Sequence, residues 1–139
     1  MNRRFFALLF IVCAICALLF TAGCVHEDTS ATPQIHTLTP SEAREMMEEM
    51  QEMEIPYIIL DVRTQAEFTE GYISGATNIP LDEMTADTME EFHRDMPIFL
   101  YCRSGRRSQE AARLLLDLGF IHIYDFGGIL SWSDEVVVP

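Results

Sequence analysis

The chain has 139 residues, a formal net charge of -13, 49% hydrophobic residues and 22% charged residues. That length holds one domain, and the balance excludes a disordered chain. All nine basic residues are Arg, and such acidity without basic clusters argues against a nucleic-acid partner, because phosphate attraction would have to overcome global repulsion.

Arg3 and Arg4 precede an apolar run of 16 residues at 5–20, and the small residues Thr21, Ala22 and Gly23 lead to Cys24. A charged start, an apolar middle and a small-residue end describe a secretory signal over residues 1–23. The run is short of the roughly 20 residues of a permanent span. Small residues before Cys resemble the lipobox of prokaryotic lipoproteins, with Thr21 where that family prefers Leu. The resemblance implies that Cys24 becomes the acylated first residue of the mature protein. Residues 24–34, polar and containing Thr, Ser and Pro, then read as a lipidated tether, and residues 35–139 as the folded domain. Cleaved or retained, the signal places this domain outside the cytoplasm on a membrane. Cleavage would remove Arg3 and Arg4 and take the formal charge from -13 to -15.

A strand is expected at 35–38. Thr39, Pro40 and Glu42 then form a helix start, with Thr39 as N-cap and Glu42 closing a capping box. Ala43, Met46, Met47, Met50 and Met53 follow at helical spacing and form an inward face. Thioethers are soft metal ligands, but no His or Cys joins this row at ligand spacing, so it reads as core packing and no metal site is expected. The apolar run at 57–60 predicts a strand covered on both faces and ending at Asp61, Val62 and Arg63. A short helix at 64–70 stops at Gly71. A strand at 76–79 and a mostly helical acidic segment at 81–95 come next, the latter with Met84, Met89 and Phe92 inward. Residues 97–101 are another buried strand, and 107–118 an amphipathic helix ended by Gly119. A strand at 121–124, a tight turn at Gly127 and Gly128, and a helical turn at 129–132 complete the chain. Strands alternating with helices imply an α/β fold: an open, mostly parallel sheet with helices on both faces and ligands beyond the strands' carboxyl ends.

Of the four cysteines, Cys13 and Cys16 lie in the apolar run and Cys24 is the expected lipid site. Cys102 is left alone in the domain, without a disulfide partner, so it is either buried and inert or reactive. It stands at a strand's end, where Arg103, Ser104, Gly105, Arg106, Arg107 and Ser108 lead into a helix. Free backbone N–H groups and the helix dipole there attract negative charge. Gly105 permits backbone curvature that other residues resist. Three arginines in five residues add a local positive cup, expected to lower the thiol pKa and hold an anion beside the sulfur.

This Cys-Arg-Ser-Gly-Arg-Arg-Ser stretch closely resembles the active-site loop of single-domain rhodaneses, which are sulfurtransferases. Three further segments agree in order: Asp61-Val62-Arg63 through Glu67-Phe68, Gly71-Tyr72-Ile73 and Asn78-Ile79-Pro80; Ala111-Ala112 through Gly119-Phe120; and Gly127-Gly128-Ile129 with Trp132. Together they cover residues 35–132. Tyr72 stands where the family usually has His, which is expected to change packing and spare chemistry. The resemblance implies a rhodanese-like fold and a persulfide on Cys102, loaded from a small anionic sulfur donor such as thiosulfate and discharged to cyanide, a thiol or a protein cysteine. It implies Cys102 as the catalytic residue and Arg103, Ser104, Gly105, Arg106 and Arg107 as the substrate-binding loop, with no cofactor. Asp61 and Arg63 are expected to support the loop, Asp61 by pairing with one of its arginines. A tethered, non-enzymatic sulfur carrier for a membrane partner would use the same cysteine. Cysteine phosphatases and arsenate reductases use a Cys-x5-Arg loop around a tetrahedral oxyanion. Cys102 to Arg107 is Cys-x4-Arg, and position 108 is Ser, a shorter cup suited to sulfur.

Overall fold

The computed structural model describes residues 32–138; the signal segment and Cys24 lie outside them. The chain forms β1 (Gln34–Thr37), α1 (Pro40–Glu52), β2 (Ile58–Asp61), α2 (Gln65–Thr69), β3 (Tyr72–Ile73), β4 (Ala76–Asn78), β5 (Ile98–Cys102), α3 (Arg106–Asp117), β6 (His122–Gly128) and β7 (Val136–Val137), with single 3-10 turns at Leu81–Glu83 and Ile129–Ser131. The main sheet has the order β1-β6-β5-β2-β4, and every pairing in it is parallel. The expected α/β fold with an open parallel sheet is the observed one.

All five residues of β5 are buried, as a central strand covered on both faces requires. Alternation divides them. Ile98, Leu100 and Cys102 face Ala111, Ala112 and Leu115 of α3, together with Met84 and Met89. Phe99 and Tyr101 face Ala43 and Met47 of α1, with Trp132 packed alongside. The methionine row is therefore core, except that α1 ends at Glu52 and leaves Met53 61% exposed.

The predicted capping box of Thr39 with Glu42 is present on α1, and the structure shows a second, Thr64 with Glu67, on α2. Helix α3 ends in a Schellman arrangement: the Gly119 N–H donates to Leu116 O and the Phe120 N–H to Leu115 O, with Gly119 at φ 87°.

Three expectations change. Residues 84–96 form successive turns rather than a helix. The Thr85 N–H donates to the Thr88 hydroxyl and the Thr88 N–H to the Thr85 hydroxyl, while the Thr88 hydroxyl donates to Glu83 O. These threonine side chains take backbone partners that helix propagation would need. Met84 and Met89 are nevertheless buried, and Phe92 packs against the same core. Secondly, Gly127 and Gly128 do not make a tight turn. Strand β6 runs through them, and Gly128 pairs with Cys102 after a register shift between Leu100 and Cys102. Asp125 supports the irregularity, accepting the Gly127 N–H at 3.0 Å from a buried position. Thirdly, β7 follows Trp132 and pairs antiparallel with β3. Tyr72, on β3, stacks on Phe68 with ring centroids 4.1 Å apart.

Candidate active site

Strand β5 delivers Cys102 to the carboxyl edge of the sheet, and residues 103–105 turn the chain into α3. Gly105 is the N-cap of α3 at φ 104°, a left-handed conformation that glycine adopts without a Cβ penalty, and it carries no capping side chain. The sulfur takes part of that role. The Gly105 N–H donates to Cys102 Sγ at 3.1 Å. Ser108, in the first turn of α3, is fully buried, and its hydroxyl oxygen lies 3.9 Å from Sγ. That hydroxyl is within donating distance of Gly105 O, at 3.0 Å, and Gly127 O, at 3.2 Å.

Cys102 is only 1% exposed. Burial alone pushes its thiol pKa up. The backbone N–H groups of Ser108, Gly105 and Ser104, with the Ser108 hydroxyl, outweigh burial and bring the pKa below its ordinary value. The sulfur thus sits in a cup of converging amides, and those amides, not arginine charge, do most of the lowering.

The three loop arginines separate. Arg107 turns to α2 and donates twice to Glu67, at 2.7 Å each, which holds the Glu67 carboxylate at a pKa of about 2. Arg106 is 80% exposed and, among the described residues, pairs only with Glu110, at 3.6 Å. Arg103 and Ser104 are exposed. Arg103 forms no ion pair among the described residues and lines a cleft of about 470 Å³ with Arg63, Glu67, Leu130, Trp132 and Val136. A second cleft, of about 400 Å³, is lined by Thr64, Leu81, Arg106, Arg107, Glu110 and Leu114.

Asp61 does not pair with a loop arginine. Its carboxylate is buried and receives the Arg63 guanidinium at 2.6 to 3.0 Å, and Arg63 also donates to Gly71 O at 2.7 Å. The Tyr101 hydroxyl accepts the Ile73 N–H at 3.1 Å. These bonds tie β2 and β5 to β3, which carries β7 along the rim of the first cleft. Asp61 and Arg63 therefore support the wall of the site rather than its loop. Among the described residues no three His, Cys, Asp or Glu side chains gather as metal ligands, and no helix is long and apolar enough to cross a membrane.

Glu67, Ser108, Asp125 and Gly128 matter to this geometry in ways that sequence reading did not assign. Glu67, Ser108 and Gly128 fall within recognised motifs. Nothing in the sequence marked Asp125, whose side chain is defined by a β6 irregularity visible only in three dimensions.

The rhodanese-like domain profile matches residues 39–135. Over 77 residues the chain is 34% identical to a sulfurtransferase of Allochromatium vinosum, covering 55% of this chain and 71% of that protein. It is 38% identical over 79 residues to the uncharacterized protein YqhL of Bacillus subtilis, covering 56% of this chain and 62% of that protein. The crystal structure of a rhodanese-like domain protein from Staphylococcus aureus superposes with a TM-score of 0.64 at 28% identity, over 75% of this chain and 98% of that one. An open parallel sheet, a cysteine in an amide cup at the end of β5, and a family match across nearly the whole described region place this chain in the rhodanese-like domain family, whose members include sulfurtransferases.

Proposed function

We propose that the domain transfers sulfane sulfur through a persulfide on Cys102. The observation that carries this reading is one buried sulfur that accepts the Gly105 N–H at 3.1 Å, with the Ser104 and Ser108 amides helping to hold its thiol pKa low. Such a cup stabilises a thiolate.

In the first half-reaction, Cys102 thiolate attacks the outer sulfur of a donor such as thiosulfate. The donor's S–S bond breaks and sulfite leaves with the electron pair. The outer sulfur, now bonded to Sγ, carries the negative charge toward the open side of the amide cup. In the second, an acceptor nucleophile attacks that outer sulfur, the S–S bond breaks, and Cys102 departs as thiolate. Arg103, with no carboxylate partner among the described residues, is suited to the anionic oxygens of the donor, with Arg106 at the loop's outer side. Ser104 and Gly105 contribute backbone amides. Arg107 acts through its Glu67 pair, fixing the start of α3.

The test is intact-mass spectrometry with and without thiosulfate, followed by addition of cyanide. Addition of one sulfur on Cys102, removed as thiocyanate, is expected. A mass unchanged by thiosulfate and other sulfane donors overturns the reading. Turnover with cyanide separates an enzyme from a carrier that discharges only to a protein partner. Phosphate esters assayed in parallel address the phosphatase alternative, which the Cys-x4-Arg spacing disfavours. Insertion of one residue into 103–105 is expected to weaken sulfur transfer by moving the amides off the sulfur.

Strand β1 takes Gln34 into the domain, and for residues 1–33 we propose the export signal, the lipid on Cys24 and the tether that the sequence motif supports, with the domain held at the extracytoplasmic face of a membrane.

A further inference from the structure

The Gly105 N–H meets charge on Sγ at 3.1 Å. When the persulfide breaks, Sγ regains full charge at a buried site, where a further donor adds to that amide. Sγ is the atom that departs, it is buried, and among the described residues no His or Arg side chain hydrogen-bonds to it. Within the core beneath it, one side chain carries a proton that can turn toward it. Ser108 is wholly buried and held by α3, with its oxygen 3.9 Å from Sγ. The same hydroxyl stands 3.0 Å from Gly105 O and 3.2 Å from Gly127 O. It has one proton for three acceptors.

Resting on the sulfur-transfer reading, we propose that Ser108 is a catalytic residue that stabilises the Cys102 leaving thiolate by turning its hydroxyl proton from a backbone carbonyl to Sγ. With the thiol protonated, S–H donates to Ser108 Oγ, and the hydroxyl donates to Gly105 O or Gly127 O. With Sγ anionic, the hydroxyl donates to sulfur and releases its carbonyl. No proton changes owner in this step; only the direction of the hydroxyl changes. Both carbonyls belong to segments that form the cup, the N-cap of α3 and the end of β6. One hydroxyl therefore couples the charge on sulfur to the seating of the loop. In the persulfide, charge moves to the outer sulfur, and the hydroxyl returns to a carbonyl. The contribution of Ser108 is thus largest in the second half-reaction, where Sγ regains full charge, and in the free thiolate. It is smaller for the loaded state.

The experiment uses the full chain and its Ser108→Ala and Ser108→Thr variants. Peptide-resolved mass spectrometry follows alkylation of Cys102 against pH, which keeps the other cysteines out of the reading. Stopped-flow measurements at a pH above the thiol's titration follow sulfur loading from thiosulfate and discharge to cyanide separately. Ser108→Ala is expected to raise the pH of thiolate formation and slow discharge about 3- to 10-fold, the net worth of one hydrogen bond once the carbonyl bond given up is counted, with loading slowed less. Ser108→Thr, which keeps a hydroxyl, is expected to restore both. Parental titration and discharge in Ser108→Ala overturn the proposal, as do equal losses in the alanine and threonine variants. Loss of native circular dichroism in both variants also overturns it, because the hydroxyl would then serve the fold alone. A parent that takes no sulfur from any donor defeats the sulfur-transfer reading instead, while a raised titration in Ser108→Ala would still uphold the hydroxyl-to-thiolate contact.

Discussion

A methyl group on Gly128 would lie 2.6 Å from the Cα of Ser104. Strand β6 and the active-site loop are that close because Gly128 has no side chain, and the loop's seating on β6 is what aims its amides at Cys102. Gly128→Ala must therefore push residues 103–105 outward. The expected cost is about 1–3 kcal/mol of stability, as for other overpacked sites, with thiosulfate-dependent sulfur loading reduced by more than the stability loss explains. Urea unfolding and sulfur loading, measured together, check this. Parental loading in Gly128→Ala would separate the loop from β6.

Glu67 and Arg107 join α2 to the first turn of α3 by two bonds of 2.7 Å. The Glu67 pKa of about 2 lies below the roughly 4.3 of an unfolded carboxylate. A depressed folded value stabilises the fold fully above the unfolded pKa, and the contribution fades as pH falls from about 4.3 toward 2. Glu67 is 21% exposed, so screening limits the effect to about 1–2 kcal/mol. Urea unfolding between pH 6 and pH 2 should show this loss in the parent and not in Glu67→Gln. Identical pH profiles would contradict it.

Arg103 lines the larger of the two clefts beside the loop and forms no ion pair among the described residues. Arg103→Ala is expected to raise the KM for thiosulfate several-fold and leave the pH of Cys102 alkylation unmoved, because backbone amides dominate the lowering of that thiol. A titration shifted by Arg103→Ala would return the arginines to the role that the sequence first implied.

Cys102→Ser should abolish sulfur uptake and preserve the cooperative unfolding transition, since serine is close in shape and its hydroxyl is a poor sulfur nucleophile. Thiocyanate production at the parental rate from this variant would defeat the persulfide mechanism.

Cys24→Ser should leave a precursor with residues 1–23 attached and without fatty-acid label. Labelling that persists in the variant would remove Cys24 as the lipid site.

The sequence alone determined the α/β order, the strand that ends at Cys102, the Thr39 capping box and the glycine stop after α3. Each is a local matter: hydrophobic period, a capping pair three residues apart, a residue that tolerates positive φ. The Cys102 loop was legible for the same reason, because its seven residues are contiguous. Tertiary structure alone decided where the charges went. Arg107 meets Glu67 from 40 positions away, and Asp61 takes Arg63 and not a loop arginine. Charge density along a chain cannot show which way a long side chain turns, since that depends on the carboxylates folding brings near. Nor could Gly128 reveal from sequence that its missing side chain makes room for Ser104. That contact exists only where two strands and a loop converge, and there the amides gather on the sulfur.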